Sequence, residues 1–278
     1  MEGAGGAMKR AAVLQDISGL GRCSLGAALP VLSVLGVQCC PVPTAVFTNQ
    51  TGFSRFASLD CGAFLKEFIA LWQYHGVALD GIYTGYLSSA EQIAAVRAFL
   101  DAFRAPDTLL LIDPVMGDHG QRYPGFDDAL CAAVAEFAAQ ADVITPNVTE
   151  LCLLAGEDYG AFTSRDAAGQ LEMLRHMCEQ LPPPMAAITG WRRGGAVCNV
   201  TWREGALRVF ESPSLPGSFS GTGDLFASAL CGGLLRGDSL EGAAARATRF
   251  LERAIAQADP ARGEEGVPFE NHLRELLY

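Results

Sequence analysis

Along this chain, short continuous apolar runs alternate with longer stretches of helical period. Residues 11–14 are apolar throughout, then come Gly19 and Gly21 and a helical stretch over 25–35. Residues 42–47 read as a strand and 62–74 as an amphipathic helix. A strand at 81–83 and a helix at 89–103 follow, with Ser88 or Ser89 as cap and Glu91 in the first turn. Leu109, Leu110, Leu111 and Ile112 form an apolar run that ends at Asp113-Pro114, as in a strand buried on both faces of a parallel sheet. Further on, 127–139 reads as a helix, and 143–144 and 186–188 as strands. Residues 196–202 and 207–210 flank Arg203-Glu204-Gly205 and predict a β-hairpin, and helices over 224–235 and 240–256 follow it.

This alternation predicts an α/β fold, a three-layer α/β/α sandwich with a mostly parallel central sheet. No linker or repeat interrupts it, so residues 9–278 are expected to form one domain behind a small, flexible extension over 1–8. In such folds ligands bind at the carboxyl ends of the strands.

Half of the 278 residues are hydrophobic, enough for a buried core, and the formal net charge is −11. That charge argues against non-specific binding to nucleic acid or an anionic membrane. An anionic ligand would need local positive potential from helix ends, metal ions or arginines. Of the 20 cationic residues, Lys9 and Lys66 are the only lysines. Neither sits in a G-x-x-x-x-G-K-[ST] loop or on a strand suited to a protein kinase, and a Schiff-base lysine is disfavoured on the same count. The nine cysteines make no C-x-x-C pair and no zinc spacing, and read as reduced thiols of a cytoplasmic protein. No run reaches the ~20 apolar residues of a membrane span. The sequons at Asn49, Asn147 and Asn199 therefore read as accidental.

Three segments can carry chemistry. Gly221-Thr222-Gly223-Asp224 precedes an apolar helix. Two glycines allow a tight turn at a helix start, where free N–H groups and the dipole bind anions. A carboxylate there makes sense if Asp224 takes a proton from an attacking hydroxyl, and equally if it only caps the helix. Asp113-Pro114-Val115-Met116-Gly117-Asp118 follows a strand and places two acids where a divalent cation could be approached, or ends the strand in a solvated turn. Thr145-Pro146-Asn147-Val148-Thr149-Glu150 reads as ligands to the same ion or as a helix cap with its first-turn acid. Gly19-Leu20-Gly21 lacks a third glycine, since position 24 is Ser, and no acid follows at the usual distance, so dinucleotide binding is disfavoured.

With Thr84-Gly85-Tyr86-Leu87-Ser88-Ser89-Ala90-Glu91-Gln92 and Phe47-Thr48-Asn49-Gln50-Thr51-Gly52, these segments resemble the pyridoxal kinase family of the ribokinase-like superfamily, from about Lys9 to the C-terminal helix. The resemblance implies Mg²⁺- and ATP-dependent phosphorylation of the 5′-hydroxymethyl group of a B6 vitamer by a homodimer. It implies Asp224 as catalytic base and Gly221, Thr222 and Gly223 as an anion hole. Asp118 and Glu150 would organise Mg²⁺, with Asn147, Thr189 and Thr222 on the nucleotide. Asp113 and Thr145 match positions linked to a monovalent cation, K⁺, in some members. Phe47, Thr51 and Tyr86 would line the ring pocket, and Tyr123 would belong to a lid over residues 119–126. The loop Gln15-Asp16-Ile17-Ser18-Gly19-Leu20-Gly21 is instead similar to that of hydroxymethylpyrimidine kinases, and puts Asp16 and Ser18 near the ring. A hydroxymethylpyrimidine or dual-specificity kinase is thus the alternative, and a vitamer- or nucleotide-binding protein without catalysis is the non-enzyme one.

Overall fold

A computed structural model describes residues 8–278, so the expected extension over 1–8 lies, apart from Met8, outside the described residues. The chain runs β1 Arg10–Ser18, α1 Ser24–Val34, β2 Gln38–Phe47, β3 Ser58–Asp60, α2 Leu65–Tyr74, β4 Gly81–Thr84, α3 Ala90–Phe103 and β5 Leu109–Ile112. Then come β6 Gly117–Asp118, β7 Gln121–Arg122, α4 Asp128–Ala138, β8 Val143–Ile144, α5 Val148–Ala155, α6 Tyr159–Thr163 and α7 Ala167–Gln180. The last elements are β9 Met185–Arg193, β10 Ala196–Arg203, β11 Ala206–Pro213, α8 Thr222–Leu235 and α9 Leu240–Ala256.

One sheet of nine strands has the order β11-β10-β9-β8-β5-β4-β1-β2-β3. The six strands from β9 to β2 are mutually parallel, while β3, β10 and β11 join antiparallel at the two sides. Strand periodicity divides the core into two layers. Ala12, Leu14, Ile82, Leu110 and Ile112 pack with residues of α3, α4, α5 and α7. Their neighbours Ala11, Val13, Tyr83 and Leu111 pack with α1, α8 and α9. β1 pairs with both β2 and β4, so the strand order reverses there. A crevice forms outside the carboxyl ends of strands at such a switch point.

The expected three-layer sandwich is present, and Ser89 is the residue that caps α3. β1 runs past the apolar run to Ser18, and β9 continues to Arg193. Several elements have no counterpart in the apolar pattern: the β6–β7 hairpin, α6, α7 and the 3₁₀ turns Pro260–Glu265 and Glu270–Leu277. α7 buries only Met173, Leu174, Met177 and Cys178, a narrow stripe in a polar run. Among the described residues, no helix is long and apolar enough to cross a membrane.

Candidate active site

α8 begins against the loop that leaves β1. Its N-cap is Gly221, with φ 77°, and a Cβ there would lie 1.9 Å from the Arg22 carbonyl oxygen. Asp224 is therefore not the cap; it sits in the first turn. Side chains cap α3, α4, α5, α6, α7 and α9, whereas α8, like α1 and α2, has no side-chain cap. Its first N–H groups are thus left for a ligand, at the positive end of the helix dipole. Gly223 is exposed, and a Cβ on it would meet nothing within 4 Å. The fold does not require glycine at that position, whereas close approach of an anion to the backbone would.

One residue joins the two acids on this side. Ser24 donates from Oγ to Asp16 Oδ1 at 2.7 Å, and its backbone N–H lies close enough to the Asp224 carboxyl to offset part of the rise in its pKa. Ser24 holds φ 46°, a left-handed conformation that is strained for a serine. Ser18 Oγ adds a longer contact of 3.5 Å to Asp16 Oδ2. Desolvation, then repulsion from Asp16, pushes Asp224 up to about 7, and desolvation raises Asp16 as well. Cys23 lies beside both acids. Burial and their charges push its thiol up to about 12, so it remains protonated and is no nucleophile.

A second group of acids is built by β5, β8 and α5. Asp113 is buried at the end of β5, and burial plus the charges of Glu150 and Asp224 raises its pKa strongly. The Thr145 hydroxyl lies beside it without a well-formed hydrogen bond, an orphaned buried donor. Asn147 and Glu150 form a capping box: Asn147 Oδ1 accepts from Glu150 N at 3.0 Å, and Glu150 Oε2 accepts from Asn147 N at 2.8 Å. Glu150 Oε1 also accepts from Met116 N at 3.1 Å. Burial still outweighs these bonds and raises the Glu150 pKa.

The β6–β7 hairpin stands over this group. His119 and Gly120 both have positive φ, the two central positions of a type I′ turn. Asn147 Nδ2 donates to the Gly117 carbonyl at 2.8 Å, and Gly120 N donates to Thr149 Oγ1 at 2.8 Å. The hairpin is thereby fastened to the start of α5. Asp118 is exposed, with Oδ1 accepting from His119 N at 2.7 Å. Tyr123 follows the hairpin, and desolvation together with Glu150, Asp118, Asp224 and Asp113 raises its hydroxyl pKa.

The ring-pocket residues only partly assemble. Phe47 and Tyr86 meet edge to face at 6.3 Å, and Tyr86 reaches Phe126 at 6.0 Å. Burial, and then the charge of Asp16, raises the Tyr86 pKa. Thr51 lies exposed in the loop after β2. Thr189 is carried by β9 and forms a bridge to Asn147, with Thr189 N donating to the Pro146 carbonyl at 2.9 Å. Thr222 is half-buried in the first turn of α8. Ser24 was not marked by any motif; only its place between Asp16 and Asp224 marks it.

Among the described residues, Asp16, Asp113, Glu150 and Asp224 make no salt bridge. No three His, Cys, Asp or Glu side chains among those residues are grouped to hold a metal ion alone. Carboxyls without a cationic partner fit a cation carried in with an anionic ligand, since Mg²⁺ uses one or two carboxylates plus phosphates and water. The orphaned Thr145 hydroxyl beside Asp113 likewise fits a second, weakly held cation.

The sequence signature of the family described as phosphomethylpyrimidine kinase matches residues 24–269. A pyridoxine/pyridoxal/pyridoxamine kinase of Bordetella avium is 30% identical over 275 residues, covering 88% of this chain and 88% of that one. A Bacteroides thetaiotaomicron protein described as a phosphomethylpyrimidine kinase and crystallised with pyridoxal has a TM-score of 0.90 at 36% identity, over 98% of this chain and 96% of that one. The pyridoxal kinase of Lactobacillus plantarum has a TM-score of 0.85 at 30% identity, over 98% and 97%.

Proposed function

The chain belongs to the phosphomethylpyrimidine kinase family and, within the ribokinase-like superfamily, to the pyridoxal kinases; on that premise we propose that it phosphorylates the 5′-hydroxymethyl group of a B6 vitamer with ATP. The observation that carries the residue roles is Asp224 in the first turn of the uncapped α8, with its pKa at about 7. Asp224 removes the proton of the hydroxymethyl group as its oxygen bonds to the γ-phosphorus. The bond from that phosphorus to the β–γ bridging oxygen breaks, and ADP leaves. The N–H groups of Gly221, Thr222 and Gly223 receive the equatorial phosphoryl oxygens as an anion hole. Such a reaction asks mainly for positioning and charge neutralisation. This explains how a chain with two lysines can serve it.

Asp118 and Glu150 would hold Mg²⁺ on the nucleotide phosphates, with Asn147, Thr189 and Thr222 beside them. Bound there, Mg²⁺ supplies neutralisation of the phosphate charge. Asp113 and Thr145 would hold the monovalent cation. Phe47, Tyr86, Ser18 and Asp16 would face the ring, with Thr51 in the exposed loop beside them and Tyr123 over it. Glu150→Gln is expected to raise the Mg²⁺ concentration for half-maximal rate several-fold; a superimposable Mg²⁺ titration removes Glu150 from that role.

Residues 9–278 act as one domain in this reading. A homodimer suits the exposed apolar side chains Val46, Leu59, Phe64, Leu71 and Tyr74 on β2, β3 and the turn and helix that follow, where β3 is an open sheet edge. A monomer mass in sedimentation would remove it. Nine free cysteines suit the reducing cytoplasm.

The test is ADP release with Mg·ATP against pyridoxal, pyridoxine, pyridoxamine and hydroxymethylpyrimidine. Turnover of a B6 vitamer is expected. Turnover of the pyrimidine alone would favour the second reading, which the Asp16–Ser24 bond beside the base keeps open. Nucleotide binding with silence on all four would favour a binding protein. Asp16→Ser is expected to change the ratio of kcat/KM between pyridine and pyrimidine substrates by about tenfold, the scale of one hydrogen bond to a charged group. An unchanged ratio would mean that Asp16 does not read the ring.

A further inference from the structure

Three loops border the crevice and come from distant parts of the chain: residues 19–23 after β1, residues 48–53 after β2, and residues 214–221 before α8. None of these is a regular element, yet phosphoryl transfer needs their relative positions held to a fraction of an ångström. Three consecutive carbonyls near the C-terminus receive one hydrogen bond from each loop. Gly263 O accepts from Ser220 N at 3.1 Å and Glu265 O accepts from Arg22 N at 3.1 Å. Glu264 O, between them, accepts from the side chain of Gln50, Nε2 to O 2.7 Å.

Gln50 is 7% exposed, and both ends of its carboxamide are used. While Nε2 reaches Glu264, Oε1 accepts from Gly52 N at 2.7 Å and shapes the turn that carries Thr51. Its backbone N–H donates to Leu20 O at 2.8 Å, in the first loop. No other side-chain hydrogen bond among the described residues links the 48–53 loop to the C-terminal segment. The receiving peptide is itself seated tightly. Gly263 is buried, and a Cβ on it would come within 2.1 Å of the Ser218 carbonyl oxygen. The ring side of the crevice and the anion-hole turn are therefore connected through Gln50 and one short peptide.

We propose that Gln50 is a positioning residue for the transfer: its carboxamide clips the 48–53 loop, and through Leu20 the loop that leaves β1, to the Gly263–Glu265 peptide that also holds the anion-hole turn. The kinetic part of this inference rests on the kinase reading above; the structural part does not. Leucine is apolar and one methylene shorter, and it removes both hydrogen bonds. Glutamate keeps an acceptor for Gly52 N but sets a carboxylate oxygen against the Glu264 carbonyl, with no donor between them.

The experiment compares the full-length wild type with Gln50→Leu and Gln50→Glu, each first confirmed as folded by thermal melting. Amide hydrogen exchange is read at Arg22 and Ser220, and steady-state kinetics use the vitamer that the wild type turns over. In both variants exchange at Arg22 and Ser220 should be at least ~10-fold faster, with β1 and β4 unchanged. kcat should fall ~10–100-fold while the KM for ATP stays within about threefold, as expected when bound substrates are misaligned. Faster exchange confined to Gly52 overturns the clip, as does a rise in KM with unchanged kcat, or a lower kcat without faster exchange at Arg22 and Ser220. If the wild type turns over no vitamer, the kinase reading fails, and exchange at Arg22 and Ser220 still decides the clip. Should Gln50→Leu not fold, Gln50→Glu carries the same readings.

Discussion

Asp224→Asn is expected to lower kcat by at least ~100-fold, the usual scale for a positioned general base, and to leave ADP affinity within about twofold. The asparagine keeps the size of the side chain and an acceptor oxygen toward the Ser24 N–H, so α8 and its free N–H groups should remain in place. What is lost is the ability to take a proton. The same residue gives a pH signature. Desolvation and the neighbouring Asp16 place Asp224 at about 7, so kcat/KM in the wild type should fall as the pH drops below about 7. The residual activity of the variant should lack that limb. Near-normal turnover in Asp224→Asn would remove Asp224 as the base.

Stability should move the other way. The folded pKa of Asp224 lies above the unfolded value of about 3.9. Its contribution to stability is fully present below about pH 4 and is lost as the pH rises through about 7. Asparagine carries no charge to bury. Asp224→Asn should therefore melt ~2–4 °C higher than the wild type at pH 8, and the gain should shrink at pH 5, where the aspartate is protonated. The same shift at both pH values would mean that charge burial is not the cause. Loss of function with gain of stability is the mark of a residue kept for chemistry.

How much of this was legible beforehand depends on whether a feature is local. The run Leu109–Ile112 reads as a buried strand because its apolar surface is continuous, and the capping of α3 by Ser89 follows from residues adjacent in sequence. The motifs ending in Asp118, Glu150 and Asp224 are visible as motifs for the same reason. The β6–β7 hairpin is not, because two-residue strands have no period; its one local sign is the His119-Gly120 pair at the turn. β1 continues through Gln15 and Asp16, polar residues that composition would assign to a loop, because the sheet and α1 bury them. Ser24 carries no signal, and Gln50 sits in a recognisable segment that does not show what it holds. Their roles come from partners 200 or more positions away, Asp224 and Glu264, which only the fold brings near. Thr51 illustrates the converse: its motif is recognisable, yet its side chain stands exposed.

Gly221→Ala and Gly223→Ala should separate what the fold needs from what the ligand needs. At Gly221 a Cβ would sit 1.9 Å from a backbone oxygen of Arg22, and φ 77° is costly for alanine. Neither strain can be relieved by a side-chain rotation, because the clashing atom is main chain in the loop that positions Ser24. The turn or that loop must shift, at an expected cost of ~3 kcal/mol or more, which lowers the melting temperature by about 10 °C. Turnover should be nearly abolished, since Asp224 and the N–H groups move with the turn. Gly223 has neither constraint: its φ is not positive and its Cβ would meet open space. Gly223→Ala should melt within about 2 °C of the wild type. If a phosphoryl group approaches the backbone there, the added methyl group should still lower kcat/KM for ATP by ~10–100-fold, somewhat less than removal of an oxyanion donor. Full activity in Gly223→Ala would take the first turn of α8 out of the phosphate site. An equal loss of stability in both variants would mean that both glycines serve the turn, leaving the anion hole without its support from Gly223.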